Sequence, residues 1–508
     1  MLKQSAIWIN RLLWASLFTA LVLVATYVSI GRYYINYVEE YQQPLLARFN
    51  QFTNLPLDID RLYGRWSRLS PVLTMEQLKL YAPDNPEQTV LTIDTLSLQL
   101  DPLRSLMQGS LQIKRLLIDG VDCALKETSP GQWELKGYPV AAGGTTNLDN
   151  VVDLILSVEG AELLGANINI NFAKGSDALL AVKELSFKRA DKFRRFKIEA
   201  NFDQSEEPLL GIIESQGDPR EIEGFSAKAY LKFNEVDFSA QLPAMGALGI
   251  DLEDARIDGQ LWLDWKPQTV IELQGSITTP LLDIAALSGR PLAPLKDVQI
   301  HFRAEKNAND NWEGWVPLLA MQWQEQPFKF EQLGVAIENK QLQLSIPSLD
   351  LAATTSQLLA IDLLGDPLKE TVSTLSLSGN LQQVVLNLSR NPTPRKTPRF
   401  ILQANLDNVS VKPWKGAPGA TGINGYLEVN PADGFVELDT GAFSLDFPLV
   451  YRNPLGFASG KGKVAWQLTE DRVYVDSGLL SLTADHGPAT ALLDLDLPKQ
   501  AGSEIPPK

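Results

Sequence analysis

The chain has 508 residues, 44% hydrophobic and 21% charged, the composition of a globular rather than a disordered protein. A formal net charge of −16 argues against a surface built to neutralise phosphates, so nucleic acid is not an expected partner, nor is charge-driven docking onto anionic headgroups. The single cysteine, Cys123, cannot form an internal disulfide, which leaves stability to packing and hydrogen bonds.

Residues 1–11 carry Lys3 and Arg11, and the run Leu12–Ile30 (LLWASLFTALVLVATYVSI) that follows has no charged residue. A helix of that length, at about 1.5 Å per residue, reaches roughly the 30 Å of a bilayer's hydrocarbon core. Leu12, Leu13, Trp14, Leu17, Phe18, Leu21, Val22, Leu23, Val24, Val28 and Ile30 are its expected lipid-facing residues. Trp8 and Trp14 stand near one end and Tyr27, Tyr33 and Tyr34 near the other, as an aromatic belt would. The positive side is N-terminal, which places 1–11 in the cytoplasm, a single span over 12–31 and the rest across the membrane. A cleaved signal peptide is the competing reading. The length of the run and the lack of an A-x-A-like site after it favour a retained anchor.

Residues 32–56 form a juxtamembrane segment. Tyr37–Asn54 reads as a helix interrupted at Pro44, with Leu45, Phe49 and Phe52 on one face, either as the packing side of an ordinary helix or as part of the entry to whatever follows. From Leu57 the apolar period becomes two. Leu96, Leu98 and Leu100 alternate with polar residues, as do Leu342, Leu344 and Ile346, then Phe443, Leu445, Phe447 and Leu449, and finally Leu493, Leu495 and Leu497. Strict alternation marks strands with one apolar face. Turn signals such as Asp433-Gly434 separate them, and helices are expected only at Leu148–Ser157, Ser239–Leu248 and Leu281–Leu287. The β region is divided as 57–390 and 400–508 by NPTPRKTPR at 391–399, which is either a linker or an ordered loop between strands.

Enzyme constellations are nearly absent. His301 and His486 lack metal-ligand neighbours, and Cys123 falls on an alternating apolar pattern as a small core residue. No nucleophile elbow, P-loop or dinucleotide fingerprint occurs in its proper context. Neither catalysis, a metal nor a cofactor is expected. Function is expected instead on the apolar face, either interlocked as a dry sandwich core or opened as a trough for acyl chains. Leu96, Leu98, Leu100, Leu342, Leu344, Ile346, Phe443, Leu445, Phe447 and Leu449 are its candidate lining.

Two stretches carry a resemblance. GRWSRLSPVLTMEQLKLYAP (Gly64–Pro83) followed by VLTIDTLSLQLDPLRSLMQGSLQIKRLLIDG (Val90–Gly120) resembles the start of the AsmA-like superfamily after its anchor, and most closely its YhdP branch. The run Asn405–Trp414, then Gly422–Leu427, the Asp433-Gly434 hairpin and Phe443–Leu455 resemble that branch too. The resemblance implies a mainly β protein: a transmembrane helix, then an elongated, twisted, U-shaped antiparallel groove with few short helices. It implies an inner-membrane protein whose periplasmic groove passes phospholipids between the membranes of a Gram-negative envelope, with no catalytic residue. Members of the branch run longer, and about 25 strands at 4.8 Å would extend only roughly 120 Å. The chain is therefore expected to be a truncated product or half of a split protein. The alternative role is a scaffold that offers a sheet edge to an outer-membrane protein.

Overall fold

The computed structural model describes residues 2–498 apart from 48–55, 138–157, 238–250, 267–270, 286–292, 361–365, 390–398 and some shorter stretches. The chain begins with helix α1 (Leu2–Ile35) and then divides into two compact units, Met1–Ala247 and Leu248–Lys508.

In the first unit the strands are β1 (Leu57–Asp58), β2 (Arg61–Ser67), β3 (Ser70–Ala82), β4 (Asn85–Leu100), β5 (Ile113–Ser129), β6 (Gln132–Leu135), β7 (Gly160–Asn171), β8 (Asp177–Ala190), β9 (Phe193–Phe202), β10 (Leu209–Gln216) and β11 (Ser226–Asp237). Helix α2 (Pro102–Gln108) joins β4 to β5. Both β1 and β2 pair with β3, and from there neighbours in sequence are neighbours in the sheet. The exception lies at β5, where β6 folds back as a hairpin and β7 pairs in parallel; β7 to β11 then run antiparallel. The other described pairings are antiparallel, as expected, and β5–β7 is a parallel step among them.

The second unit holds β12 (Asp251–Trp265), β13 (Ile271–Ala285), β14 (Leu295–Lys306), β15 (Trp312–Trp323), β16 (Gln326–Glu338), β17 (Gln341–Asp350), β18 (Ser378–Ser389), β19 (Phe400–Val411) and β20 (Gly419–Val429), paired antiparallel in that order. Helices α3 (Leu351–Ala360) and α4 (Asp366–Leu375) connect β17 to β18. Eight shorter strands follow: β21 (Asp433–Thr440), β22 (Phe443–Asp446), β23 (Leu455–Phe457), β24 (Ser459–Leu468), β25 (Arg472–Ser477), β26 (Leu480–Ala484), β27 (Gly487–Ala491) and β28 (Asp494–Pro498). Here the ladder branches, β20 pairing with β21 and β22, and β24 with β21, β25 and β26.

Two expectations meet the structure differently. Leu281–Ala285 is the end of β13, not helix: Leu281 and Leu282 pair with Lys296 and Leu295, and Ala285 with Asp251. Ladder partners on both edges override a local preference. Phe447 and Leu449 do not continue β22. Pro448 has no N–H to give a ladder, and the chain turns instead, Val450 and Tyr451 both donating to Phe447 O at 2.9 and 2.8 Å. Around 391–399, β18 and β19 are sheet neighbours, with Ser389 N donating to Arg399 O at 3.1 Å. Residues 391–398, like the expected helices at 148–157 and 239–248, lie outside the described residues.

Candidate functional site

One device recurs among the strands of each unit. In the first unit the registers of successive strand pairs omit the same height: Gln77 opposite Asp94, Asp94 opposite Gly120, Gly120 beside Gly165 and Gly165 opposite Lys183. Gln77, Gly120 and Gly165 take φ of 53°, 69° and 61°. Against β9, the register shifts between Val182 and Glu184, so Lys183 is an extra residue. Such irregularities bend a strand and reverse the phase of its side chains. In the second unit prolines mark the same event. Pro280, Pro317 and Pro347 stand opposite Asp297, Gln332 and Gln383, whose φ values are 49°, 60° and 51°. A proline cannot donate to its neighbour, and the neighbour's backbone turns away from the ladder at that point.

The crease has a consequence for the apolar face. Along β3, β4, β5 and β7 the apolar sets step by three across it: Met75 to Leu78, Ile93 to Leu96, Ile118 to Val121 and Leu163 to Ala166. In an unbroken strand residues three apart point to opposite faces. Here Leu163 and Leu185 pack in one cluster with Ala166, Ile168, Leu180 and Val182, and Met75 and Leu96 in one with Leu78 and Ile93. The same step joins Ile346 to Leu349, Leu381 to Val384 and Leu406 to Val409 in the second unit's cluster. Each strand changes phase at the crease, so its two halves show the same face.

Register then lines these residues into rows that run across the strands. One row is Leu73, Leu98, Leu116, Ala161, Phe187, Phe196, Ile213 and Ala229; the next is Met75, Leu96, Ile118, Leu163, Leu185, Ile198, Gly211 and Leu231. Beyond the crease a third runs Leu80, Leu91, Cys123, Ile168, Leu180 and Phe202. Buried Ala166, Val182 and Ala200 lie near the crease, and Phe187 in the first row is 1% exposed, while Leu96, Leu98, Leu116, Ile118, Leu163 and Leu185 are only half-buried. Ion pairs cover other positions: Lys183–Glu199 at 2.7 Å, Lys197–Glu184 at 3.1 Å and Lys266–Glu272 at 2.7 Å. Exposed pairs of this kind add little stability but keep a surface wet.

The expected lining residues separate on this map. Leu96 and Leu98 sit in the rows, and Leu100 pairs with Ile113 at their margin. Leu342, Leu344 and Ile346 pair with Leu388, Leu386 and Val384 and are half-buried. Phe443 is 6% exposed, stacked on Phe457 at 5.0 Å between ring centres, and packed with Leu480 and Leu482, so it is interlocked core; Leu445 packs beside it. Phe447 and Leu449 line a shallow apolar recess with Trp414 and Val450, and Leu449 is 83% exposed. Sequence reading missed Leu116, Ile118, Leu163 and Leu185, whose place shows only once the phase step is known.

Among the described residues, no group of His, Cys, Asp and Glu could hold a metal ion. Burial first, and the Asp122 carboxylate second, push the Cys123 thiol up, which disfavours a nucleophilic thiolate.

One described helix is long and apolar enough to cross a membrane, over Asn10–Ile35. Leu12, Leu13, Trp14, Leu17, Phe18, Leu21, Val22, Leu23, Val24 and Ile30 are exposed, and Val28 is half-exposed. A helix that is apolar all round needs an apolar medium. Its last turns are tied to the sheet. The Trp66 indole lies where a β-carbon on Gly31 would be, the Tyr27 ring meets Trp66 edge-on at 5.3 Å, and Tyr27 OH donates to Leu69 O at 3.3 Å. After Ile35 a 3₁₀ turn (Val38–Tyr41) leads to Gln42, whose Nε2 donates to Ile59 O at 3.0 Å and whose Oε1 accepts from Leu62 N at 3.1 Å. Leu45, Phe49 and Phe52 lie outside the described residues.

Comparison with known proteins gives a family model described as YhdP protein, which matches residues 1–505. The intermembrane phospholipid transporter YhdP of Escherichia coli (strain K12) is 20% identical over 481 residues, 88% of this chain. The chain spans about a third of that relative's length, 35%. No solved structure matches.

Proposed function

The chain belongs to the YhdP protein family, and from that premise we propose that it binds phospholipid acyl chains along its apolar rows and supports phospholipid movement between membranes. The observation that carries this reading is the continuity of the rows. The one from Leu73 to Ala229 crosses eight strands, and seven steps of about 4.8 Å make a stripe of roughly 34 Å. An acyl chain laid along such a stripe gains about 0.8 kcal/mol per methylene removed from water. Half-buried leucines keep that surface accessible, which an interlocked core would not. In this reading the sheet curls into a groove at the creases, α1 spans the inner membrane with its N-terminus in the cytoplasm, and the sheets stand in the periplasm. The relative's name, intermembrane phospholipid transporter, supports the cargo. Movement along a uniformly apolar stripe needs no chemical step from this chain.

The reading is tested by mass spectrometry of phospholipid co-purifying with the full chain, wild type against Leu98→Asp with Leu116→Asp. Both proteins keep α1 and its annular lipid, so the difference reports the rows alone. Phospholipid lost from the double variant supports the proposal. Equal lipid content in two folded proteins would contradict it.

A further inference from the structure

Helix α2 presents an apolar face that no described residue of its own unit covers. Leu103, Leu106 and Met107, spaced i, i+3 and i+4, are 68%, 83% and 79% exposed. The opposite face is held fast. Asp101 caps the helix by accepting from Arg104 N at 3.0 Å, Ser105 Oγ donates to Asp101 O at 2.6 Å and accepts from Gln112 N at 2.9 Å, and Arg104 pairs with Glu159 at 3.2 Å. The exposed face is therefore oriented by its neighbours and cannot roll inward.

Its level relative to α1 is also fixed. The β2–β3 turn, whose Leu69 is 55% exposed, takes a hydrogen bond from Tyr27, three residues inside the end of the uncharged run and about 5 Å from it at 1.5 Å per residue. In the β3–β4 register Val72 faces Gln99, so Asp101, two residues further along β4, brings the start of α2 to the level of the β2–β3 turn. An apolar helix face at the outer edge of a membrane span lies where interfacial helices bury about 5–10 Å into the headgroup and acyl boundary.

We propose that Leu103, Leu106 and Met107 of α2, with Leu69 of the β2–β3 turn, form a second contact with the interfacial zone of the bilayer that α1 spans. The contact is apolar, so it does not depend on attraction to anionic headgroups, which the acidic net charge of the chain would not supply. It holds the ends of β2, β3 and β4 against the membrane, next to the first members of the apolar rows, Leu73 and Leu98. The inference rests on α1 as a spanning helix, which the test checks separately.

The full chain with Cys123→Ser is reconstituted in nanodiscs of phosphatidylethanolamine and phosphatidylglycerol, with a nitroxide at Leu69→Cys, Leu103→Cys, Leu106→Cys or Met107→Cys in turn. Val22→Cys reports the anchor and Asp439→Cys open water. Oxygen-to-nickel accessibility ratios several-fold above that of position 439 at the four sites are the expected result. Ratios equal to that of position 439, with position 22 deep in the bilayer, would overturn the second contact alone. An aqueous position 22 would overturn the anchor and the contact together. Labels at the four sites shielded from both relaxers would point to a protein partner and overturn the lipid contact.

Discussion

Gln77 donates through Nε2 to Asp94 Oδ1 at 3.0 Å, at the height where β3 and β4 skip a ladder pair. On the next strand Gly120, with φ +69°, leaves room for that carboxylate; a β-carbon there would collide with Asp94. Gly120→Ala is thus expected to destabilise the first unit through left-handed backbone strain of about 1–2 kcal/mol, with the steric clash added. Asp94→Gly in the same chain should recover the clash but not the strain. Thermal unfolding of the two variants checks both parts, and a Gly120→Ala chain as stable as the parent would refute the crease as a constrained feature.

Gln42 bridges the segment after α1 to the sheet edge through Ile59 O and Leu62 N. Gln42→Ala leaves both backbone groups without that partner, at about 1–3 kcal/mol if they stay buried. Hydrogen exchange at the Leu62 amide should accelerate while amides in β8 and β9 keep their protection.

The crease shows what alternation in a sequence can and cannot say. Leu96, Leu98 and Leu100 mark β4 as a strand because their spacing is two, and the structure agrees. The step from Ile93 to Leu96 is equally visible, but one strand's phase break has no meaning alone. It becomes a feature only when pairing aligns it with Ile118/Val121 and Leu163/Ala166. Phe447 and Leu449 fail for the opposite reason: the period is right, and Pro448 removes the donor that a ladder requires. The parallel entry of β7 beside β5 follows from tertiary pairing, which no local pattern encodes.

Cys123 lies in the third apolar row between Leu91 and Ile168. Its thiol is pushed up by burial and then by Asp122, so at a given pH less of it is thiolate than in a free cysteine. Alkylation should be slow at neutral pH and rise about tenfold per pH unit up to a midpoint above the ordinary value of about 8.5. Asp122→Asn should lower that midpoint slightly. A pH–rate profile followed by intact-protein mass reads both, and a midpoint at or below about 8.5 would contradict the assignment.

Leu21 is near the centre of the uncharged run and exposed on α1. Leu21→Arg places a charge at the helix centre, at a cost of about 2.5–3.5 kcal/mol on the insertion scale. The membrane-embedded fraction after alkaline carbonate extraction should fall, and Leu21→Ile should leave it unchanged.

The most direct test of the acyl-chain surface is site-specific photo-crosslinking in living cells grown with labelled phosphate. Benzoylphenylalanine would replace Leu98 or Leu163 in the apolar rows, and Gln99 or Glu162, one residue along each strand, on the other face. Labelled phospholipid adducts at 98 and 163, and none above background at 99 and 162, are predicted. Adducts equal on both faces, or absent from both in a folded chain, would contradict an apolar face that carries lipid.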